Sequence, residues 1–225
     1  MRRQLAEEAI ALDPNYAWAY EWLGWTHLND IYYGMTNDFA KSWNTAFELG
    51  QKAQSMDEKT AHDLLGSLYL LKRQYDKGVG EAERLVDIFP NGAYAQFTLG
   101  RFLMNADRVE EAIPIYKKVL RLDPYAIAPY FYCLGFANWM IGQYEEAISI
   151  CKKGLQRFPD DLFTHMVLAV SYIETGNVEE ARKSAAEVLR INPKISLDWL
   201  AKILHWKNKD QAARCIDDLR KAGLT

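Results

Sequence analysis

"NADRVEEAIPIYKKVLRLDP", residues 105–124, and "IGQYEEAISICKKGLQRFP", residues 141–159, are two wordings of one phrase. Each opens on turn formers, runs into a pair of glutamates and an alanine, and stops at a proline. Acidic residues favour the positive end of a helix, and proline cannot donate the hydrogen bond that would continue one. Each phrase therefore reads as one helix with both ends marked. The phrase returns as "RQYDKG" before Pro90 and "GNVEEA" before Pro193, and the steps between Pro90, Pro124, Pro159 and Pro193 are 34, 35 and 34 residues. The other half of each period carries a Leu-Gly pair, at Leu23-Gly24, Leu65-Gly66, Leu99-Gly100 and Leu134-Gly135, with Leu168-Ala169 as a fifth copy.

A fixed period holding two helices is the signature of a helical repeat array. Gly or Ala after the Leu, and Ala112, Ala147 and Ala181 near the start of the second helices, remove side chains where antiparallel partners cross. These are scaffold residues. The expected fold is all-α, a right-handed superhelical solenoid of antiparallel helix pairs with about 12–13 helices and no β-sheet. It divides into a half repeat at 1–14, repeats at 17–56, 59–90, 91–124, 125–159 and 160–193, and capping helices at 194–225. The half repeat, "RRQLAEEAIALDP", is a second helix without its first, so the chain is expected to be part of something longer.

One interval breaks the period: Gly24 to Gly66 is 42 residues. The surplus sits in "NDIYYGMTND", residues 29–38. The phase predicts a first helix running on through Asn29 or Tyr32, a stop at Gly34, and a lengthened second helix capped by Thr36 or Asn37. Three readings of the insertion stay open, with Tyr32 and Tyr33 as its contact residues: a hairpin touching a parent protein, a lid on a groove, or an elongated loop packed by its own tyrosines.

Composition excludes several classes of function. A net charge of −3, with 27 Lys and Arg spread along the chain, offers no footprint for nucleic acid. Cys133, Cys151 and Cys215 are odd in number and match no ligand or disulfide pattern, which points to reduced thiols. The opening "MRRQLAEEAIALDP" places charges where a signal peptide is apolar, so a cytoplasmic setting is expected. Residues 125–144 are uncharged and long enough for a membrane span, but they contain Pro129 and Asn138 and fall in register with polar repeats. No span is expected.

Nor does the sequence hold a catalytic constellation. There is no phosphate-binding Gly loop, HExxH or GxSxG, and His27, His62, His165 and His205 lie in different helices. Paired glutamates such as Glu145-Glu146 open helices and need no catalytic role. The expectation is no enzyme activity, no catalytic residue, no metal and no cofactor.

"LDPNYAWAYEWLGWTHL", "NADRVEEAIPIYKKVLRLDP" and "IGQYEEAISICKKGLQRFP" resemble tetratricopeptide repeats. That resemblance implies a concave surface built from set positions around each Leu-Gly pair. Here those positions include Trp18, Glu21, Trp25, Tyr94, Phe97, Arg101, Tyr132, Phe136, Trp139, Phe163 and Met166, an aromatic groove with polar orienters. Some family members grip acidic C-termini with a Lys two before the Leu and an Asn after the Gly; no repeat here has that pair, so such a clamp is not expected. The alternatives are that these rings close the packing between first helices, or that the chain's own segments fill the groove. The inserted "YYG", "LLGSLYLLKRQYDKG", "NPKISLDWLAKIL" and the final "LRKAGL" further resemble the tetratricopeptide region C-terminal to bacterial class III adenylate/guanylate cyclase domains.

The function expected from these observations is a non-enzymatic module binding a peptide, helix or neighbouring domain in the groove. It would regulate or scaffold a larger bacterial signalling protein, and the partner could be an upstream domain of the same polypeptide. Rival readings are a sensor of a hydrophobic small molecule and an oligomerisation module.

Overall fold

A computed structural model describes residues 2–225 of the chain. The described residues form thirteen α-helices and no strand, an all-α solenoid of antiparallel helix pairs. They divide into two compact units, Met1–Pro90 and Asn91–Thr225.

The first unit contains α1 (Arg2–Leu12), α2 (Ala17–Tyr32), α3 (Phe39–Met56), α4 (His62–Leu71) and α5 (Tyr75–Ile88). Its core includes Leu28, Ala46, Leu64 and Leu68, each with no exposed surface, flanked by Trp25, Tyr32, Trp43 and Phe47. A second cluster joins Tyr20, Ala53, Ala61 and Leu65. Full burial of a leucine contributes about 1.5–3 kcal/mol, so these aligned apolar faces, rather than local helix propensity, hold the pairs together.

The second unit contains α6 (Ala93–Asn105), α7 (Val109–Leu122), α8 (Ala128–Met140), α9 (Tyr144–Arg157), α10 (Leu162–Glu174) and α11 (Val178–Ile191), closed by the short α12 (Leu197–Ile203) and by α13 (Lys209–Lys221). The Leu-Gly phrase is explained by contact distances. A Cβ on Gly135 would lie 2.6 Å from Cys151 Sγ and 3.0 Å from Val167 Cγ1, so α8 touches both α9 and α10 at a point that admits no side chain. On Gly100 it would lie 2.8 Å from the ring of Tyr116, which is fully buried.

The insertion lengthens α2 and α3 and the turn that joins them. α2 has 16 residues and α3 has 18, against 13 or 14 in most other helices. Gly34, with φ 63°, turns the chain after α2 as the phase predicts. The cap of α3 is a correction: Asp38, not Thr36 or Asn37, accepts from the Lys41 N–H at 2.9 Å. Thr36 instead accepts from the Asp38 N–H and bonds to Ser42 Oγ at 2.8 Å, bracing the turn beneath that cap. Tyr32 packs against the Leu28–Leu64 cluster, while Tyr33 is exposed.

Candidate partner-binding surface

In the first unit, Trp18 stands exposed on α2 and Trp25 is half-buried beside it. Glu21 departs from the expected role of an accessible orienter. It is buried, accepts from the Ala61 N–H at 3.0 Å, and lies 3.4 Å from Trp25 Nε1. Ala61 has a left-handed φ of 62° at the entry to α4, and its amide would otherwise be an orphan donor in the core. Burial raises the Glu21 pKa, with the Ala61 and Trp25 hydrogen bonds opposing it. Glu21 is a brace between α2 and α4.

In the second unit Tyr94 is exposed, while Arg101, Tyr132 and Phe163 are half-buried. The Tyr132 and Phe163 rings lie 5.1 Å apart. Phe97 is buried, with its ring 5.0 Å from that of Tyr130 and 6.1 Å from that of Tyr116. Met166, Phe136 and Trp139 are buried as well. Phe97, Met166, Phe136 and Trp139 are therefore packing residues here and not open anchors.

The cover over Phe136 and Trp139 is the chain's own segment between α12 and α13. Trp206 is 4% exposed, with its ring 5.6 Å from Phe136 and 6.4 Å from Trp139. The last carbonyls of a helix lack intrahelical partners, and this segment and the start of α13 supply donors to them. Lys207 N–H donates to the Asn105 carbonyl at 2.8 Å, Gln211 Nε2 to that of Met140 at 3.2 Å, and Arg214 Nη2 to that of Trp139 at 3.5 Å. Arg214 also lies 4.2 Å over the Trp139 ring and 3.5 Å from Glu174 Oε1, a cation placed where helix C-termini favour one. Asn208 Nδ2 reaches Asp107 Oδ1 at 3.3 Å. The segment and the start of α13 together thus span the C-terminal ends of α6, α8 and α10.

Sequence reasoning missed Trp206 and Arg214. The available signal was a lone Trp in "LHWKNKD", a polar linker with no other reason to carry an indole.

Titratable groups in these surfaces are structural. The three cysteines are buried free thiols, and burial pushes Cys133 and Cys215 up to about 12, far from a reactive thiolate. In the first unit His62 Nδ1 and Glu81 Oε2 are 2.8 Å apart, both buried. Burial works against charge on His62, but Glu81 and the Glu58 carbonyl outweigh it and the pKa is raised. Among the described residues no group of three or more His, Cys, Asp or Glu is placed to hold a metal, and no helix is long and apolar enough to cross a membrane.

Antiparallel pairs with small residues at each crossing define a helical-repeat protein. The chain belongs to the tetratricopeptide-repeat family: residues 5–58, 64–127 and 142–203 each match it, described as "Tetratricopeptide repeat". It is 30% identical over 145 residues to a peroxisomal targeting signal receptor of Candida albicans, a match covering 64% of this chain and 23% of that one. Similar folds are found in the APC/C hetero-tetramer Cut9-Hcn1 (TM-score 0.71, 17% identity, 95% of this chain and 38% of that one). Another is PilW, a type IV pilus biogenesis factor (TM-score 0.69, 18% identity, 92% and 88%).

Proposed function

We propose that this chain is a non-enzymatic protein-interaction module that holds a peptide or helix of its partner against the open part of its aromatic surface. Tyr132 and Phe163 form the central pair, with Tyr94 and Arg101 as further contacts, and Trp18 and Trp25 make the corresponding surface of the first unit. The observation that carries the reading is Trp206. An irregular segment with one indole already lies in the adjoining Phe136–Trp139 trough and is fixed by a main-chain hydrogen bond to Asn105, which is how a groove holds a peptide. The match to a targeting signal receptor, a protein that by its name recognises a signal, is consistent with this reading.

Peptides selected on the purified chain from a random display library test it. The expected result is aromatic-anchored peptides whose binding weakens about tenfold or more in a Tyr132→Ala, Phe163→Ala double variant of unchanged helicity. Equal binding to the double variant overturns it. We further propose that the module serves a bacterial signalling protein such as a nucleotide cyclase, on the resemblance of residues 2–224 to cyclase-linked repeats. The reading frame that encodes the chain tests this: a class III catalytic domain ahead of Met1 supports it, and a stop codon directly upstream removes it.

A further inference from the structure

One end of the aromatic surface in the second unit is occupied by the chain itself. On α8, Phe136 lies one turn after Tyr132 and Trp139 follows three residues later, so the surface of Tyr132 and Phe163 continues into the trough beneath Trp206. Arg101 and Asn105 are one turn apart on α6 in the same way, and the Asn105 carbonyl accepts from the Lys207 N–H at 2.8 Å.

Residues 204–208 sit on this trough as a plug with one buried anchor. They are non-helical, Trp206 alone among them is buried, and Lys207 is exposed. Asn208 Nδ2 reaches Asp107, which is exposed too. Both flanks of the plug are fixed elsewhere. The Leu197 N–H of α12 donates to the Thr225 carbonyl at 3.1 Å, and Leu200 is buried. α13 buries Cys215 and Leu219 and holds the Met140 and Trp139 carbonyls through Gln211 and Arg214. The plug can therefore leave with both helices in place. Nor is its fit complete: Trp139 is fully buried, yet among the described residues nothing accepts from its Nε1–H. A buried orphan donor is a cost that an incoming acceptor would remove.

We propose that residues 204–208 are a displaceable plug, and that an extended partner segment with one aromatic anchor takes their place in the Phe136–Trp139 trough. The plug is the template for that segment. Its backbone is extended at Asn208, it sets one indole in the trough, and it follows the indole with a main-chain N–H for the Asn105 carbonyl and a side-chain donor for Asp107. A carbonyl or carboxylate on the incoming segment that accepts from Trp139 Nε1 gives it a bond the plug lacks. Displacement rests on the reading of this face as a peptide-binding surface, and adds its regulation. The plug competes from within the chain, so a partner binds more weakly in proportion to the fraction of molecules whose trough is open. A segment long enough to cross both the Tyr132–Phe163 pair and the trough expels Trp206, and a shorter one leaves it seated.

Hydrogen exchange of the native chain in low denaturant separates a plug from a permanent cap. The Lys207 amide is expected to exchange through a local opening, about tenfold or more faster than the Leu219 amide of α13 and with little dependence on denaturant. Exchange of Lys207 only with global unfolding overturns the inference, and this measurement needs no variant. Binding is read by anisotropy with a fluorescently labelled peptide of residues 201–211 titrated into the full chain. Saturable binding to Trp206→Ser is expected, about tenfold or more tighter than to the parent, and lost when the peptide itself carries Trp206→Ala. Equal binding to parent and variant, or none to Trp206→Ser with its helicity unchanged, overturns the inference. Adding Tyr132→Ala and Phe163→Ala to Trp206→Ser should weaken the display-selected peptides and leave this probe bound over Phe136 and Trp139, so loss of one without the other tells which reading has failed. A dimer in sedimentation that Trp206→Ser dissolves also overturns the inference, because the plug of a second copy would then be the occupant.

Discussion

The two units carry similar aromatic inventories and present them differently. In the first unit Trp18, Trp22 and Tyr33 face solvent, at 42%, 60% and 66% exposure. In the second, Phe136 and Trp139 are at 5% and 0%, because residues 204–214 cross over them. Phe136 lies buried beneath Trp206, whereas Trp25, at the same repeat position in the first unit, is half-buried. Groove residues inferred from repeat position are therefore candidates until the covering segment has been traced.

The largest test of this contrast is Trp206→Ala. Loss of a buried Trp costs about 3–5 kcal/mol, so the second unit should unfold at markedly lower denaturant and the folded protein should bind a hydrophobic dye as Phe136 and Trp139 are uncovered. A loss below about 1 kcal/mol would mean that the segment does not hold the trough closed. Next is Glu21→Ala in the first unit, which strips the Ala61 amide of its acceptor and should cost about 1–3 kcal/mol in chemical denaturation. Glu21→Gln keeps an acceptor and should cost less.

The units should also separate by pH. His62 binds its proton more tightly folded than unfolded, so its stabilising contribution is complete below pH 6.5 and is lost as pH rises through the raised folded value. Asp218 in the second unit is pushed up to about 6 by burial, against the pull of Lys221 and with Glu174 adding to the rise. Its contribution is complete below 3.8 and is lost as pH climbs to about 6. Melting curves across pH should show the lower window flattened by Asp218→Asn and the upper one by His62→Gln. The smallest effect belongs to Trp22→Ala, about 1 kcal/mol or less, because that indole is 60% exposed.

Much of this was legible along the chain. Leu-Gly, Ala and Pro recur because helix crossings and helix stops are local and repeat every period, so each copy corroborates the others. The turn at Gly34 was readable for the same reason. The cap at Asp38 was not, since Thr36, Asn37 and Asp38 are all good capping residues and only the braced turn of Thr36 against Ser42 selects among them. Glu21 looked like a groove residue because its position matched; its bond to Ala61 joins residues 40 apart with no periodic trace.

The amino-acid sequence by itself determined the helix pairs, their order and the family, because spacing and small residues at crossings act within one period. Tertiary structure alone decided which aromatic rows remain open and which are covered. Contacts such as Gln211 to Met140, 71 residues apart, depend on where the chain returns in space, and that leaves no repeating mark along it.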